Sequence, residues 1–539
     1  MIMKKLCTLI LLAASASGLY AQGLFEAMTF SQNTYYGTAR SMALGNAMTA
    51  VGGDLGSIVI NPAGSAVSSY SQFTLSPSLS ISSSKAGYAA IAGTDPYSGE
   101  ETSRYTRFFM PNIGLNLRYD TGQKYGLKSM SFGIVANGTN NYTTRMTAGG
   151  VNNATTYSGA LAWDATEGGY APSVLNNRDS YDRHSAPWML INGYRGGLIG
   201  DLSQNQYIGS AEVLYPNGDI AIGGPIDQSY GTQSYGSKYD IDFNWGFNVD
   251  DQWFFGVNVG IQGLNYQYDE FLKEFARDPS QFPIEVDGVQ TNFHNLRYRY
   301  SYNASGTGIN AKFGVLYAPG NGLRVGAAIQ TPTALTIRER WQYAADTHFS
   351  SSSLDCNEIS PEGRYDYNFR APYHVNAGVA YTFENIALLS VDYEMCDYST
   401  MRFYSRDGYD DDFTDANNDI HDLAGISHML RAGVELKPVP EFAIRTGYNL
   451  TVLPESYYDD LRVKHTDNYL THVVSFGLGY SSPGSFFADI AARYAFYPKE
   501  YFRPYGDYLF DGNTVKTASP EIENTRSLLN LVLTLGFRF

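Results

Sequence analysis

The side chains best suited to chemistry in this chain are its histidines, cysteines and acidic residues. None of the sequences Gly-x-Ser-x-Gly, His-Glu-x-x-His, Cys-x-x-Cys or Gly-x-x-x-x-Gly-Lys occurs, so the usual motifs for acyl transfer, zinc hydrolysis, redox exchange and phosphate binding are missing. The histidines are scattered without ligand-like spacing: His184, His294, His348, His374, His421, His428, His465 and His472. We therefore predict no enzyme activity, no catalytic residues and no cofactor.

An acidic run is the best candidate for metal binding. It contains Asp407, Asp410, Asp411, Asp412, Asp415, Asn417, Asn418, Asp419 and Asp422. Their oxygens are ligands that Ca²⁺ accepts, but the spacing is not that of an EF-hand loop. We interpret the run as a solvated outer loop and predict no metal site.

The first residues have the pattern of an export signal. Lys4 and Lys5 precede an apolar run and then small residues, which predicts a signal peptide over residues 1-21. Cys356 and Cys396 are the cysteines that follow it, and in an exported chain they could form one disulfide.

Composition limits the class of protein further. Charged residues are 17% of the 539 residues, and no stretch after the signal approaches the roughly 18 apolar residues that a membrane helix needs. The 44 tyrosines, 54 glycines and 29 phenylalanines favour strands with aromatic girdles and tight turns. A formal net charge of −16 argues against a nucleic-acid partner, because phosphate binding needs clustered Lys and Arg.

Strict alternation of apolar and polar residues predicts the elements. Between Tyr239 and Asp250, Tyr239, Ile241, Phe243, Trp245, Phe247 and Val249 alternate with polar residues, as Leu529, Leu531, Leu533, Leu535, Phe537 and Phe539 do at the end of the chain. The same pattern predicts strands near residues 70-84, 104-119, 129-142, 237-249, 252-268, 293-317, 322-338, 364-382, 386-403, 425-437, 441-454, 469-481, 486-498 and 526-539.

Short turns alternate with long loops between these strands, as in an outer-membrane barrel. We therefore predict an all-β fold, a transmembrane antiparallel 14-stranded β-barrel. A secreted β-solenoid or multi-sandwich protein is the alternative. The apolar phase slips within residues 293-317, which we interpret as one strand with a bulge or bend at residues 305-308.

Three segments stand apart from the strand pattern. Residues 22-66 are small, apolar and glycine-rich, which fits either a hatch inside the barrel of residues 67-539 or a short helix and loop that cap a core. The long connection 143-236 is rich in aromatic residues, which favours an ordered lid or a docking surface. Phe271, Leu272 and Phe275 lie in a candidate amphipathic helix that either packs on the loops or serves as a landing site for an apolar ligand.

The segment from Ala39 to Asp54, followed by Asn61-Pro62-Ala63-Gly64, resembles the hatch of the FadL-type family of outer-membrane transporters for long-chain fatty acids and other hydrophobic compounds. The resemblance implies a hatched 14-stranded barrel in the bacterial outer membrane. It also implies passive uptake, with capture among the outer loops and lateral exit through the wall. Arg40, Asn61, Pro62 and Ala63 are the hatch-motif residues.

These expectations leave two hypotheses. The first is a transport protein for hydrophobic small molecules, with membrane lipid and an apolar ligand as its partners. The second is a barrel subunit that does not transport but acts as a platform in an outer-membrane complex, docking other proteins through loop 143-236.

Overall fold

The structure is a computed structural model that describes residues 23–89, 93–96, 99–384, 386–406, 413–458, 463–509 and 517–539. The predicted signal peptide lies outside the described residues, as do residues 407–412 of the acidic run. The helices are α1 Leu24–Ser31, α2 Ala39–Ala43, α3 Tyr157–Glu167, α4 Pro172–Leu175, α5 Ser180–Arg183, α6 Trp188–Arg195 and α7 Thr414–Leu423. No helix among the described residues is long and apolar enough to cross a bilayer.

Fourteen strands among the described residues form one antiparallel ring. They are β1 Gln72–Tyr88, β2 Glu101–Asp120, β3 Leu127–Asn141 continued by Thr144–Asn152, β4 Ile226–Val249, β5 Trp253–Ala276, β6 Val289–Tyr317, β7 Leu323–Gln330 continued by Ala334–Phe349, β8 Gly363–Arg370 continued by His374–Phe383, β9 Ala387–Asp397 continued by Arg402–Ser405, β10 Ile426–Val439, β11 Phe442–Tyr458, β12 Lys464–Ser481, β13 Phe486–Phe496 continued by Glu500–Phe502, and β14 Ile522–Arg538. β14 pairs with β1, with Phe537 opposite Phe73, so the ring is closed. The predicted fold class is confirmed.

Proline marks two of the interruptions within strands. Pro332 separates the two parts of β7, and Pro372 separates the two parts of β8. Proline has no N–H to donate to the neighbouring strand, so the ladder cannot continue through it. At one end of the ring β4 and β5 are joined by Asp250, Asp251 and Gln252. The Gln252 amide donates to Val249 O at 3.2 Å, and the φ angles of Asp250 and Asp251, 57° and 55°, suit the two central residues of a tight hairpin turn.

The lipid-facing side is the alternating apolar face. Ile241 and Trp245 on β4 and Leu531 and Leu533 on β14 are each about 40% exposed on the outer surface. Their neighbours point inward, as with Asp242, which is fully buried. Apolar side chains on the outer surface and polar side chains in the interior are the pattern of a membrane-spanning barrel.

The bulge predicted at residues 305–308 is wrong. β6 pairs with β5 in unbroken register from Asn295 to Tyr317. Tyr298 and Tyr302 face inward, whereas Ile309 and Phe313 face outward. The apolar residues change sides because the upper part of the strand lies above the lipid. At that level the lumen is apolar and the outer surface of the barrel is polar.

The helix predicted around Phe271, Leu272 and Phe275 is also wrong, because all three lie in β5. Leu272 points inward and is 2% exposed, while Phe275 points outward and is 44% exposed. Two-residue alternation continues through the segment, and pairing on both sides with β4 and β6 outweighs its helical spacing.

The connection 143–236 is largely ordered, and its ends are strand rather than loop. Thr144–Asn152 and the first residues of β4 extend the barrel wall. Between them, α3 to α6 and the short strands Ile199–Ser203, Gln206–Gly209, Glu212–Leu214 and Ile220–Ile222 form a folded unit, called here the cap. Tyr181 in the cap is fully buried, and Trp163, Tyr170, Trp188 and Tyr194 pack partly buried against the same core.

Cys356 and Cys396 are both free thiols, so the disulfide left open by the sequence is not formed.

Candidate functional site

The N-terminal segment of residues 23–67, called here the hatch, lies inside the ring and contacts strands on every side. Its backbone carbonyl groups accept hydrogen bonds from inward-pointing asparagines, for example at Pro62 from Asn244 of β4 (3.0 Å) and at Ile58 from Asn258 of β5 (2.9 Å). On the far side of the ring, the Ala39 amide donates to Thr534 of β14 (2.7 Å). A segment with partners on both sides of a ring occupies its lumen.

Inward-facing glycines form the surface on which the hatch rests, called here the glycine seat. Its members on the described strands include Gly246, Gly256, Gly314, Gly326, Gly378, Gly433, Gly447 and Gly477. Gly246, Gly256 and Gly314 lie side by side on β4, β5 and β6. A methyl group at Gly256 would overlap the Pro62 backbone, and one at Gly314 would overlap the Asn61 side chain. The hatch therefore packs backbone against backbone, which larger side chains would prevent.

Asn61, Pro62 and Ala63 form the central contact of the hatch with the seat. Asn61 is the N-cap of the 3₁₀ helix Pro62–Val67, and its Oδ1 accepts from the Ala63 amide at 3.0 Å. Its Nδ2 donates to Thr49 O at 2.7 Å inside the hatch and to Val315 O of β6 at 3.2 Å. One side chain therefore caps a helix, braces a loop and attaches the hatch to the wall.

Arg40 attaches the other half of the hatch through an ionic network. Its Nε lies 2.9 Å from Glu435 of β10, whose side chain is 4% exposed. Glu435 also accepts from Arg445 of β11 at 2.6 Å, and Arg445 reaches Asp489 of β13 at 2.5 Å. A buried ionic network of this kind stabilises the fold only when every charged group is paired, so removing one partner leaves the others buried without a counter-charge.

A second buried network fixes the middle of the hatch to the wall. The Tyr35 hydroxyl donates to Glu394 of β9 (2.8 Å), which also lies 2.9 Å from His374 of β8 and 3.1 Å from Arg431 of β10. The Arg431 guanidinium also lies 5.6 Å from the centre of the Tyr35 ring.

Above these polar networks, the lumen is lined by apolar and aromatic side chains, called here the aromatic layer. Its buried members on the wall include Leu264, Tyr266, Tyr302, Ala304, Leu335, Ile337, Tyr367, Phe369 and Phe403. Helix α1 of the hatch fills its centre, with Phe30 edge-on to Tyr266 and to Phe369, each at 6.3 Å between ring centres. The centre of the aromatic layer is therefore occupied by part of the hatch.

The cap closes the lumen above the aromatic layer. Glu274 of β5 accepts from the Tyr157 amide at 2.8 Å and from the Thr156 hydroxyl, which ties the start of α3 to the wall. Gln228 of β4 also donates to Glu274, at 2.6 Å. The lumen is therefore blocked from above by the cap and from below by the hatch.

The wall has one break in its pairing among the described residues of β2 and β3. Pairing between them ends at Asn112 and Asn137, and beyond that point β2 pairs with β1 whereas β3 pairs with β4. Close to this level, β1 carries Pro77 and the register with β2 shifts. We call this break the lateral gap.

Three aromatic rings cross the wall at the lateral gap. Tyr36 of the hatch packs edge-on against Phe109 of β2 at 5.2 Å, and Phe109 packs against Tyr239 on β4 at 5.4 Å. The Phe109 ring lies directly against Gly138 of β3, where even a methyl group would not fit. Phe109 therefore fills the gap between the lumen and the outer surface, where Phe108 and Ile113 are exposed to lipid.

The hatch completes the closure of this gap. The Thr34 and Tyr36 amides each donate at 2.7 Å to β3, at Thr139 O and Gly138 O. These carbonyl groups have no partner on β2, so the hatch satisfies the open strand edge that lipid could not.

The structure brings together some of the residues singled out by sequence and separates others. Arg40, Asn61, Pro62 and Ala63 all contact the wall, whereas Phe271 and Phe275 face outward, away from the lumen. Sequence reasoning missed the glycine seat and Phe109. The inward positions of Gly246 and Gly256 on the adjacent strands β4 and β5 were a usable signal for the seat. Phe109 and Tyr36, in contrast, are too far apart in sequence for their contact to be predicted. No cluster of metal-binding side chains occurs among the described residues.

The closed ring, its lipid-facing band and the hatch in its lumen define a plugged transmembrane β-barrel. The chain is similar in fold to the toluene transporter TodX of P. putida, with 12% identity, 93% of this chain and 98% of that chain covered, and a TM-score of 0.47. It is also similar to a FadL homologue of Pseudomonas aeruginosa (11% identity, 94% and 99% covered, TM-score 0.48) and to the toluene transporter TbuX of Ralstonia pickettii (12%, 94% and 99%, 0.44). No family model and no curated protein matches the chain.

Proposed function

We propose that this protein is a bacterial outer-membrane transport protein for passive uptake of long-chain fatty acids or other hydrophobic small molecules. The observation that carries the proposal is the aromatic layer, an apolar lumen beside the lateral gap that is occupied by a segment of the same chain. A watery pore would hold such ligands poorly, because each buried CH₂ contributes about 0.8 kcal/mol.

In this mechanism the ligand enters past the cap and replaces α1 among the aromatic side chains. Hatch residues 32–36 then move away from β3, because they are continuous with α1. Their departure frees the Gly138 and Thr139 carbonyl groups and removes Tyr36 from behind Phe109. The ligand leaves sideways past Phe109 and enters lipid without crossing water.

A reversible lock on the hatch tests this route. The Thr34 hydroxyl lies 3.2 Å from Asn140 Oδ1 of β3, so Thr34→Cys with Asn140→Cys, in a Cys356→Ser, Cys396→Ser background, places two thiols close together. With radiolabelled oleate and toluene as probes in whole cells, we expect uptake to fall at least about tenfold when the lock is oxidised, because the lateral exit then stays shut. Reduction should restore uptake.

The two single-cysteine variants in the same background serve as controls and should respond to neither oxidant nor reductant. Uptake that is unchanged in the oxidised double variant would refute lateral exit beside the hatch. Uptake that equals that of cells lacking the protein, in every variant and redox state, would refute transport itself.

The platform hypothesis has less support in this structure. The aromatic residues of connection 143–236 that suggested docking pack against the core of the cap. Docking of other outer-membrane proteins stays a prediction, and purification in mild detergent tests it, since stoichiometric co-purifying proteins would favour a platform.

A further inference from the structure

Eight cationic side chains lie together on the outward face of the upper barrel, on one side of the ring. They are Arg145 on β3, Lys273 on β5, Arg297 and Arg299 on β6, Arg338 and Arg340 on β7, and Arg364 and Arg370 on β8. We call this set the cationic face. All of the arginines in it are exposed.

The cationic face begins where the lipid-facing residues end. On β8, Arg370 is separated by Pro372 from the outward-facing Val379, which is 50% exposed. On β7, Arg338 lies beyond Ala334, the residue paired with Arg370. Strands that cross a bilayer place such residues at the level of the lipid headgroups.

The carboxylates among these cations do not cancel their charge. They are Asp269, Asp346, Glu362 and Asp366. Arg338 lies 3.1 Å from Asp366, while Glu362 is shared by Arg340 at 3.8 Å and Arg364 at 3.3 Å. Exposed pairs of this kind contribute little energy, so they orient the guanidinium groups and leave a local positive excess in a chain whose formal net charge is −16.

A recess of about 370 Å³ lies at one end of the face, lined by Arg145, Lys273, Arg297 and Arg299 together with Phe271 and the carboxylates Asp269 and Glu270. Asp269 pairs with Arg299 at 3.2 Å, so the cations of the recess still outnumber its carboxylates by four to two. Lys273 Nζ lies 5.1 Å from the centre of the Phe271 ring. The recess therefore offers both cations and an apolar surface, which suits an amphipathic anion.

The opposite wall lacks this character. At the upper outward positions of β11 and β12, the side chains include Ser456, Thr466 and Asn468. The upper surface elsewhere carries isolated cations, namely Lys85 on β1, Arg104 on β2, Lys464 on β12 and Lys499 beside β13. The positive charge is therefore densest on the cationic face.

We propose that the cationic face binds the phosphate groups of a phosphorylated glycolipid in the surrounding leaflet. Seven of its eight members are arginines, whose planar guanidinium groups match phosphate oxygens in pairs. Cations at the membrane surface are attracted to anionic headgroups at about 1 kcal/mol each. Lipid bound at the arginines of β6, β7 and β8 forms a fixed ring segment three or more strands from the lateral gap, whereas Arg145 on β3 places the other end of the cationic face beside it.

The test uses the intact protein in detergent and a bis-phosphorylated glucosamine-disaccharide lipid, with binding followed by native mass spectrometry. The variant combines Arg338→Gln, Arg340→Gln, Arg364→Gln and Arg370→Gln. We expect it to bind this lipid at least about tenfold more weakly than the parent protein, and we expect the parent to lose binding as salt is raised.

A charge-matched control combines Lys85→Gln, Arg104→Gln, Lys464→Gln and Lys499→Gln, which lie elsewhere on the barrel. It should bind within about twofold of the parent, and both variants should keep the heat-sensitive gel mobility of a folded barrel. The same lipid without its phosphates should bind the parent weakly, and inorganic phosphate at millimolar concentration should not displace the intact lipid. Equal binding by parent and cationic-face variant, or equal binding of the dephosphorylated lipid, would overturn the proposal.

Discussion

Asn61 joins three parts of the molecule through one side chain, so its removal should destabilise hatch residues 55–67. In Asn61→Ala, the 3₁₀ helix loses its N-cap, and the Thr49 and Val315 carbonyl groups lose a buried donor. We expect a loss of about 2–4 kcal/mol in local stability. Hydrogen exchange of residues 55–67 should be correspondingly faster.

Asn217→Ala is a suitable control for this experiment. Asn217 is exposed in the cap and bonds to Asp219 in its own turn. Its replacement should leave exchange in the hatch unchanged. Parental exchange in Asn61→Ala would show that the glycine seat alone holds the hatch.

Glu212 makes the cap sensitive to pH. It is 5% exposed, accepts from the Gly209 amide at 2.8 Å, and is faced by Tyr508 and Glu274. Burial raises the pKa of Glu212 from 4.5 to about 7. A carboxyl group with a raised pKa binds its proton more tightly in the folded state, so it favours folding at low pH, and this contribution is lost as the pH rises from about 4.5 to about 7.

We therefore expect hydrogen exchange in α3 and its neighbours, corrected for intrinsic rates, to be slower at pH 5 than at pH 8. Glu212→Gln should reduce this difference, with Glu274 of β5 at the start of α3 left as a second buried carboxyl group, and should stabilise the cap at pH 8 by an amount on the order of 3 kcal/mol. The exposed Glu167 provides the matched control, since Glu167→Gln should keep the parental pH dependence. A pH-independent cap in the parent protein would contradict the prediction.

At the scale of elements, β5 carries one member of the glycine seat, Gly256, and a control position, Gly263. Gly256 faces the hatch, where an added methyl group would overlap the Pro62 backbone, while a methyl group at Gly263 would meet open space. We expect Gly256→Ala to cost about 1–3 kcal/mol through overpacking and to make the hatch accessible to protease.

Gly263→Ala should leave both stability and protease resistance near the parental values. The comparison is sharp because the two positions lie on one strand and involve the same change. Equal protease sensitivity of the two variants would mean that the seat does not position the hatch.

The strands themselves could be predicted because lipid imposes a two-residue alternation on each of them. The same rule failed on β6, because a strand that passes out of the bilayer exchanges its apolar and polar sides without changing register. It also failed at Phe271 to Phe275, where short apolar spacing fits a helix and a strand equally well. Arg40 and Asn61 were found from their motif, whereas the Tyr36–Phe109–Tyr239 contact depends on how three distant segments meet.

At the scale of the whole molecule, the apolar residues of β5 pass from its outer side to its inner side along the strand. The level of this change marks the upper limit of the bilayer. Ile261 faces lipid and is 42% exposed, while Gln267 faces outward on the same strand above the apolar run. Val257→Lys, at the middle of the outward apolar run from Trp253 to Ile261, should therefore cost about 2–4 kcal/mol in folding into lipid vesicles, measured by denaturant unfolding.

Gln267→Lys should change this folding energy by less than about 1 kcal/mol, since its side chain already lies in water. Equal costs at the two positions would place the bilayer boundary higher than the pattern indicates. Equal absence of cost would show that Val257 does not face lipid.

The contacts of the hatch around the ring have a consequence for biogenesis. Its partners include Asn258 on β5, Glu435 on β10 and Thr534 on β14. The last of these strands, β14, must also pair with β1 to close the ring. A segment gripped from so many directions cannot readily be threaded into a finished cylinder. We expect the nascent protein to lay its N-terminal segment onto an open sheet first and to seal the β1–β14 seam around it afterwards.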